Sequence, residues 1–189
     1  WLWGAALIFH WSFLVIFLRH FRFFTEPVPF WVKLAQDVDG FMQIGVPILY
    51  MTDVAIVAAV TYLFLRRVVS PQLRYISLAA DYFPLFLILG IAVSGIWMRY
   101  FGKVDVVGVK SLTMALVTFN FSDVTWDLGA IFYVHLLLVC ALFAYFPFSK
   151  LMHMPGVFMS PTRNLANNNR MKRHVNPWNP EVEVHTYEH

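Results

Sequence analysis

The stretch WLWGAALIFHWSFLVIFLRHFRFF, residues 1–24, decides how the rest of the chain is read. It holds no charged side chain before Arg19, and it places His10 and His20 in an apolar run. About 20 apolar residues suffice for a helix to cross the hydrocarbon of a bilayer. An ionisable group inside such a span is expensive and marks function by default. A counterpart lies near the other end of the chain: LGAIFYVHLLLVCALFAYFPFSKLMH, residues 128–153. His135 falls within that run and His153 just beyond its apolar part. Two histidines on each of two apolar helices predict two stacked bis-imidazole sites. Neutral imidazole is a good ligand for haem iron, so the natural occupants are two b haems, one near each face of a membrane.

Composition agrees with a membrane setting. The chain is 59% hydrophobic and only 13% charged, against roughly 25% charged residues in a soluble domain. The net charge of +3 is spread through loops and tail without a dense basic patch, so nucleic acid is not an expected partner. Cys140 is the sole cysteine. It excludes covalent c-type haem attachment, a cysteine-ligated iron–sulfur cluster and an intrachain disulfide. The chain opens without Met inside an apolar run, so a further span upstream is expected. The opening run is too long and too rich in histidine for a signal peptide.

Working outward, residues 1–21, 44–65, 82–98 and 128–149 read as four spans, the second interrupted only by Asp53. Residues 109–121 place Val109, Leu112, Leu116 and Phe119 at helical spacing beside Lys110 and Ser111, which predicts an interfacial helix. From residue 154 the chain turns to Pro, Asn, Arg and Glu, and no span follows. The expected architecture is all-α: an integral membrane helical bundle over residues 1–153, with an extended tail over 154–189. Arg66, Arg67 and Arg74 in one loop, and Lys150, Arg163, Arg170, Lys172 and Arg173 around the tail, put that side in the cytoplasm of an inner-membrane protein by the positive-inside rule. His10 and His153 then lie toward the inside, His20 and His135 toward the outside.

Helix geometry tests the pairing. His10 and His20 are ten positions apart, about 15 Å along a helix; His135 and His153 are eighteen apart, about 27 Å if the helix is unbroken. The two helices run in opposite directions, so His20 faces His135 and His10 faces His153. The rises differ by about 12 Å, and Pro147 is placed to kink or end the last span first. Gly4, Ala5, Ala6, Gly129 and Ala130 leave room for a flat macrocycle. Haem propionates need donors: Arg19, Arg22 and Arg99 suit the outer haem, Lys150 and Arg163 the inner one. Each of these cations, taken alone, also reads as a snorkelling boundary residue. His174, His185 and His189 lie in the polar tail and read as solvated.

The same spacings occur in a known family. The chain resembles the nitrate reductase gamma-subunit family of dihaem cytochromes b, with ten residues between histidines on an early helix and eighteen on the last. Within it, the stretches RHFRFFTEPVPFW, RYISLAADYFPLFLILGIAVSGIWMRYF, FAYFPFSKLMHMPGVFMSPTRNLANNNR and HVNPWN look like the DsrM-type membrane cytochromes b of sulfite-reduction-associated complexes. The resemblance implies two b haems, His20 and His135 on the outer one and His10 and His153 on the inner. It implies a menaquinol site and a cytoplasmic iron–sulfur partner related to heterodisulfide reductase. It also implies a multihaem cytochrome c, a ferredoxin-like subunit and a second membrane subunit.

Near the outer pair, Asp53 could take protons from quinol or sit hydrogen-bonded within the bundle, and Lys33 is a further quinol-site candidate. Pro27, Pro29, Phe30 and Trp31 read as a stiff apolar loop, either a quinone wall or an aromatic belt at the interface. Phe158, Trp178, Tyr187 and the basic run from Arg163 to Arg173 suit a tail that docks on the iron–sulfur partner. The rival readings are the anchor of another respiratory reductase, such as nitrate reductase, and a haem-free anchor whose histidines carry protons or a metal. Zinc prefers four compact ligands, whereas these histidines divide into two pairs.

Overall fold

Hydrocarbon offers no partner to a backbone amide, so an apolar run that enters it folds as a helix or closes into a barrel. The computed structural model describes residues 1–40, 48–122 and 124–160, and every regular element among them is helical. Helix α1 spans Leu2–His20 and runs into a 3₁₀ turn, Phe21–Phe23. There follow α2 (Phe30–Asp39), α3 (Met51–Val69), α4 (Pro71–Ile76) and α5 (Ala79–Trp97). The end of α5 widens into a π-helical turn, Met98–Gly102. Then come α6 (Val106–Thr118) and α7 (Ala130–Tyr145).

Among the described residues, three helical segments are long and apolar enough to cross a membrane: Leu2–Phe23, Ala79–Gly102 and Ala130–Phe148. The membrane helical bundle expected from sequence is therefore present. The remaining expected span corresponds to α3, which carries Asp53 in its first turn and Arg66 and Arg67 in its last. Residues 44–47 of that expected span lie outside the described residues. Residues 48–50 are not helical, so Asp53 stands in the first turn of α3 and does not interrupt a longer span. The cause is local. Tyr50 is extended (φ −86°, ψ 130°), its amide donates to the Tyr100 hydroxyl at 3.1 Å, and the Ile48 carbonyl accepts from Arg99 at 2.9 Å. Side chains of the α5 end thus take up the backbone groups that a longer α3 would have paired.

The helices pack as an up–down row, α1 on α3, α3 on α5 and α5 on α7. The pairings fix the direction. Arg19 at the end of α1 meets Asp53 at the start of α3. Tyr100 beyond the end of α5 meets the same Asp53. Tyr145 at the end of α7 donates to the Ala80 carbonyl at the start of α5, at 3.3 Å. That carbonyl is the one Pro84 leaves unpaired within α5, since proline has no N–H to return to the residue four before it. Ile56, Val60 and Ile88 form a core that also takes Phe9 and Ile16 of α1 and Leu142 of α7, so the row curves back on itself. Unlike a water-soluble bundle, this one has an apolar outer face, and its interior holds polar groups beside the apolar core. Its buried residues include Ser12, Arg19, Asp39, Thr52, Asp53 and Ser94, while Trp3, Leu7, Trp11, Leu137 and Phe143 are exposed. Polar groups inside and apolar groups outside is the arrangement that lipid favours.

Two shorter elements frame one end. The interfacial helix expected over 109–121 is α6, shifted toward the N-terminus because Asp105 caps it, accepting from the Val107 amide at 2.9 Å. The Thr113 hydroxyl donates to the Phe23 carbonyl at 2.6 Å, and Lys110 pairs with Glu26. These bonds hold α6 against the turn after His20. The stiff loop expected at residues 27–31 is shorter than that. Pro29 stands at the N-cap, and Phe30 and Trp31 already belong to α2. Val32 and Asp39 are the buried side of that helix, two turns apart on one face.

Helix α7 ends at Tyr145, and Pro147 lies in a 3₁₀ turn, Phe146–Phe148, so the helix stops well before His153. The chain divides into two units, Trp1–Lys150 and Leu151–His189. In the second, the segment read as the start of an extended tail opens with a short helix, α8 (His153–Met159). Residues 161–189, with Arg163, His174, His185, His189 and most of the expected docking arm, lie outside the described residues.

Candidate functional site

One end of the first unit collects the C-terminus of α1, the N-terminus of α3, the π-helical end of α5 and the first turns of α7. The antiparallel row puts His20, the last residue of α1, and His135, in the second turn of α7, at this same end. The two imidazoles lie within electrostatic reach of each other. The helices that carry them, α1 and α7, stand at the two ends of the row and are not among its closely packed pairs.

Each ring is held by its Nδ1. His20 Nδ1 is 2.6 Å from the Ile16 carbonyl, four residues back on its own helix. His10 Nδ1 makes the same contact with the Ala6 carbonyl at 2.7 Å. A carbonyl can only accept, so in both rings Nδ1 carries the proton. His135 is held differently, 2.9 Å from the Ser94 hydroxyl on α5. For His20 and His135 the nitrogen presented away from these partners is Nε2. A bond from Nδ1–H that fixes the tautomer and turns Nε2 outward is how proteins orient metal-ligating histidines.

This donor set fits a b haem. Two imidazoles suffice for its iron, and helices that bracket a macrocycle cannot pack at the ordinary 8–10 Å. Among the described residues no cluster of three or more His, Cys, Asp or Glu could hold a metal ion, so the compact ligand shell of a zinc site is not found there. His10 lies about 15 Å along α1 from His20, and His153 opens α8 in the second unit.

Beside His20 lies a buried ionic network, only part of which the sequence reading anticipated. Arg19, 7% exposed, points its guanidinium at two carboxylates: Nη2 is 2.5 Å from Asp53 Oδ1, and Nη1 is 3.0 Å from Asp39 Oδ2. Asp39 also caps α3 from another helix, accepting from the Thr52 amide at 3.0 Å and the Thr52 hydroxyl at 2.6 Å. The second oxygen of Asp53 accepts from the Tyr100 hydroxyl at 2.9 Å. Arg19 and Arg99 both lie over the Tyr50 ring, 3.9 and 4.0 Å from its centre. Two cations and two anions balance, as burial demands. Arg19 and Arg99, read from sequence as propionate donors, are thus engaged chiefly by Asp39, Asp53, Tyr50 and the Ile48 carbonyl. The reading missed Asp39 and Tyr100. An acid before Gly40 and a tyrosine beside a terminal arginine look like ordinary boundary residues, and only the fold brings them together.

Arg22 and Lys33 lie apart from this network. They line a groove of about 330 Å³ together with Gln36, Lys110, Phe23 and Val106. The Arg22 guanidinium lies 4.8 Å from the centre of the Phe23 ring, and Trp31 stacks edge-on against Phe21 at 5.4 Å. The groove begins two residues after His20 and combines three cations with apolar walls. Of the residues singled out in the sequence, the structure joins Arg19, Asp53 and Arg99 in the network and Arg22 and Lys33 in the groove. At the opposite end Lys150 pairs with Asp81 at 2.5 Å.

Comparison with known proteins gives the site its context. The family model described as nitrate reductase gamma subunit matches residues 1–174. Over 183 residues the chain is 49% identical to a protein of Archaeoglobus fulgidus named Hdr-like menaquinol oxidoreductase cytochrome b-like subunit, covering 95% of this chain and 55% of that one. A protein of the same name from Archaeoglobus profundus is 46% identical over 187 residues, 97% of this chain and 56% of that one. The chain therefore spans about half the length of the curated relatives it matches. The match over residues 1–174 covers the whole four-histidine pattern, and the chain belongs to the nitrate reductase gamma subunit family.

Proposed function

We propose that this chain is the dihaem cytochrome b part of a menaquinol oxidoreductase, with His20 and His135 on the outer haem and His10 and His153 on the inner. Electrons would pass through the two haems to a cytoplasmic iron–sulfur subunit related to heterodisulfide reductase, in dissimilatory sulfur metabolism. The observation that carries this reading is the pair His20 and His135, from opposed helices, both tethered at Nδ1 and both at the end that holds the cationic groove. The names of the two Archaeoglobus relatives support menaquinol as the substrate. When bound, haem supplies reversible one-electron transfer at its iron. The chain's own residues do the rest. Lys33 and Arg22 orient the oxygens of the quinol ring in the groove, and the apolar walls take its hydrocarbon part. Asp53 holds the network in place, one oxygen accepting from Arg19 and the other from Tyr100, and it is also the carboxylate placed to take a proton from quinol.

Kinetics separate this site from the haems. Lys33 is exposed on α2, so Lys33→Ala should leave both haem spectra intact. Loss of a hydrogen bond from a charged donor should slow haem reduction by a menaquinol analogue roughly tenfold or more. Arg22→Ala should act in the same direction. Unchanged reduction rates in both variants would exclude the groove as the quinol site. The partner is tested in the same membranes. Removing residues 164–189 should release the iron–sulfur subunit while quinol still reduces the haems, and undiminished co-purification would refute docking through this arm.

A further inference from the structure

His135 is seated on a neighbouring helix, and the seat has two parts. Ser94 is buried on α5, 6% exposed. Its hydroxyl lies 2.7 Å from the Gly90 carbonyl, 3.0 Å from the Ile91 carbonyl and 2.9 Å from His135 Nδ1. A hydroxyl has one proton to donate. The two carbonyls can only accept, so that proton goes to them, and Oγ accepts from His135 Nδ1–H. The bond fixes the tautomer, leaving the lone pair on Nε2. The second part is Gly95. A Cβ there would stand 3.3 Å from His135 Cε1 and 3.7 Å from Nδ1, so any side chain at this position would press on the imidazole and shift it by a few tenths of an ångström. Hydroxyl and glycine are consecutive, and together they set both the rotation and the depth of one ring.

We propose that Ser94 and Gly95 are positioning residues for His135, and that Ser94 tunes the outer haem through the His135 Nδ1–H bond; this rests on His135 being a ligand of that haem. The contrast with His10 and His20 gives the proposal its reach. Their Nδ1 atoms are tied to main-chain carbonyls of their own helix, which no side-chain substitution removes. Of these three rings, only the seat of His135 is written in a side chain. An acceptor on Nδ1–H makes the ligand a stronger electron donor, which favours the oxidised iron. Ser94→Ala removes that acceptor and leaves the neighbouring Ile91 carbonyl, which also interacts with His135.

The test is a redox titration of the purified full chain in detergent, with the inner haem as internal control. Ser94→Ala should move the reduction equilibrium of the outer haem roughly threefold to tenfold toward the reduced form, in keeping with the loss of one hydrogen bond. The inner haem should stay in place. Loss of the outer haem alone would support the seat equally. If Ser94→Ala unfolds the chain and both haems are lost, Gly95→Ala decides: a change confined to the outer haem supports the proposal, and equal changes at both haems overturn it. A wild-type chain with two haems and an outer haem untouched by Ser94→Ala overturns the proposal and leaves the dihaem reading intact. A wild-type chain without haem overturns both.

Discussion

His20→Ala and His135→Ala are each expected to abolish the same b haem, about half of the haem absorbance, while leaving the other titrating at its wild-type potential. His10→Ala and His153→Ala should abolish the other one. The expectation for the first pair follows from the up–down row, which carries the last residue of α1 and the second turn of α7 to one end. The expectation for the second rests on sequence spacing: ten positions on the first helix, and eighteen between histidines separated by the break at Pro147. An imidazole ligand has no substitute in alanine, so each variant should lose a whole centre. Redox titration followed in the visible spectrum distinguishes the two haems. Loss of the same haem in His10→Ala and His135→Ala would reverse the pairing.

The second large effect is expected at Arg19. Its guanidinium holds Asp39 and Asp53 together, and through them α2, the start of α3 and Tyr100. Arg19→Met leaves two buried carboxylates facing each other without a cation. Breaking a buried ion pair by removing one partner costs roughly 3–5 kcal/mol. The melting temperature in detergent should fall on the order of 10 °C. Lys33→Ala, on an exposed face, should stay within about 0.5 kcal/mol of wild type. The comparison separates a structural network from a merely cationic rim: equal melting of the two variants would mean that the Arg19 pairs contribute nothing to the fold. His20 follows Arg19 directly, so the damage should reach the outer haem before the inner one.

The helices that meet lipid were legible because their signal is local. Long charge-free runs, histidines inside them and a charged residue at each boundary are read one segment at a time. The short apolar helix α6 was legible for the same reason, down to a shift of three residues that the Asp105 cap explains. What escaped is what depends on pairing across the chain. Arg19 and Asp53 are 34 positions apart, and Tyr100 and Asp53 are 47 apart. Each alone is a residue at a span end. Helix α2 escaped because two prolines and a polar half disguise it, and its one fully buried side chain, Val32, is a single position. The start of α3 was placed too early because hydropathy counts Ile48 and Leu49 as membrane residues. Their backbone is instead held extended by Arg99 and Tyr100. Ser94 carried no signal at all: a serine inside an apolar helix most often bonds back to its own carbonyls, which Ser94 also does.

The most direct measurement is the haem content of the purified, folded chain by the reduced pyridine haemochrome assay. Two bis-histidine sites should give about two b haems per chain. A well-folded, freshly extracted protein that carries no haem would contradict the four-histidine assignment outright, and one that carries a single haem would contradict the second site.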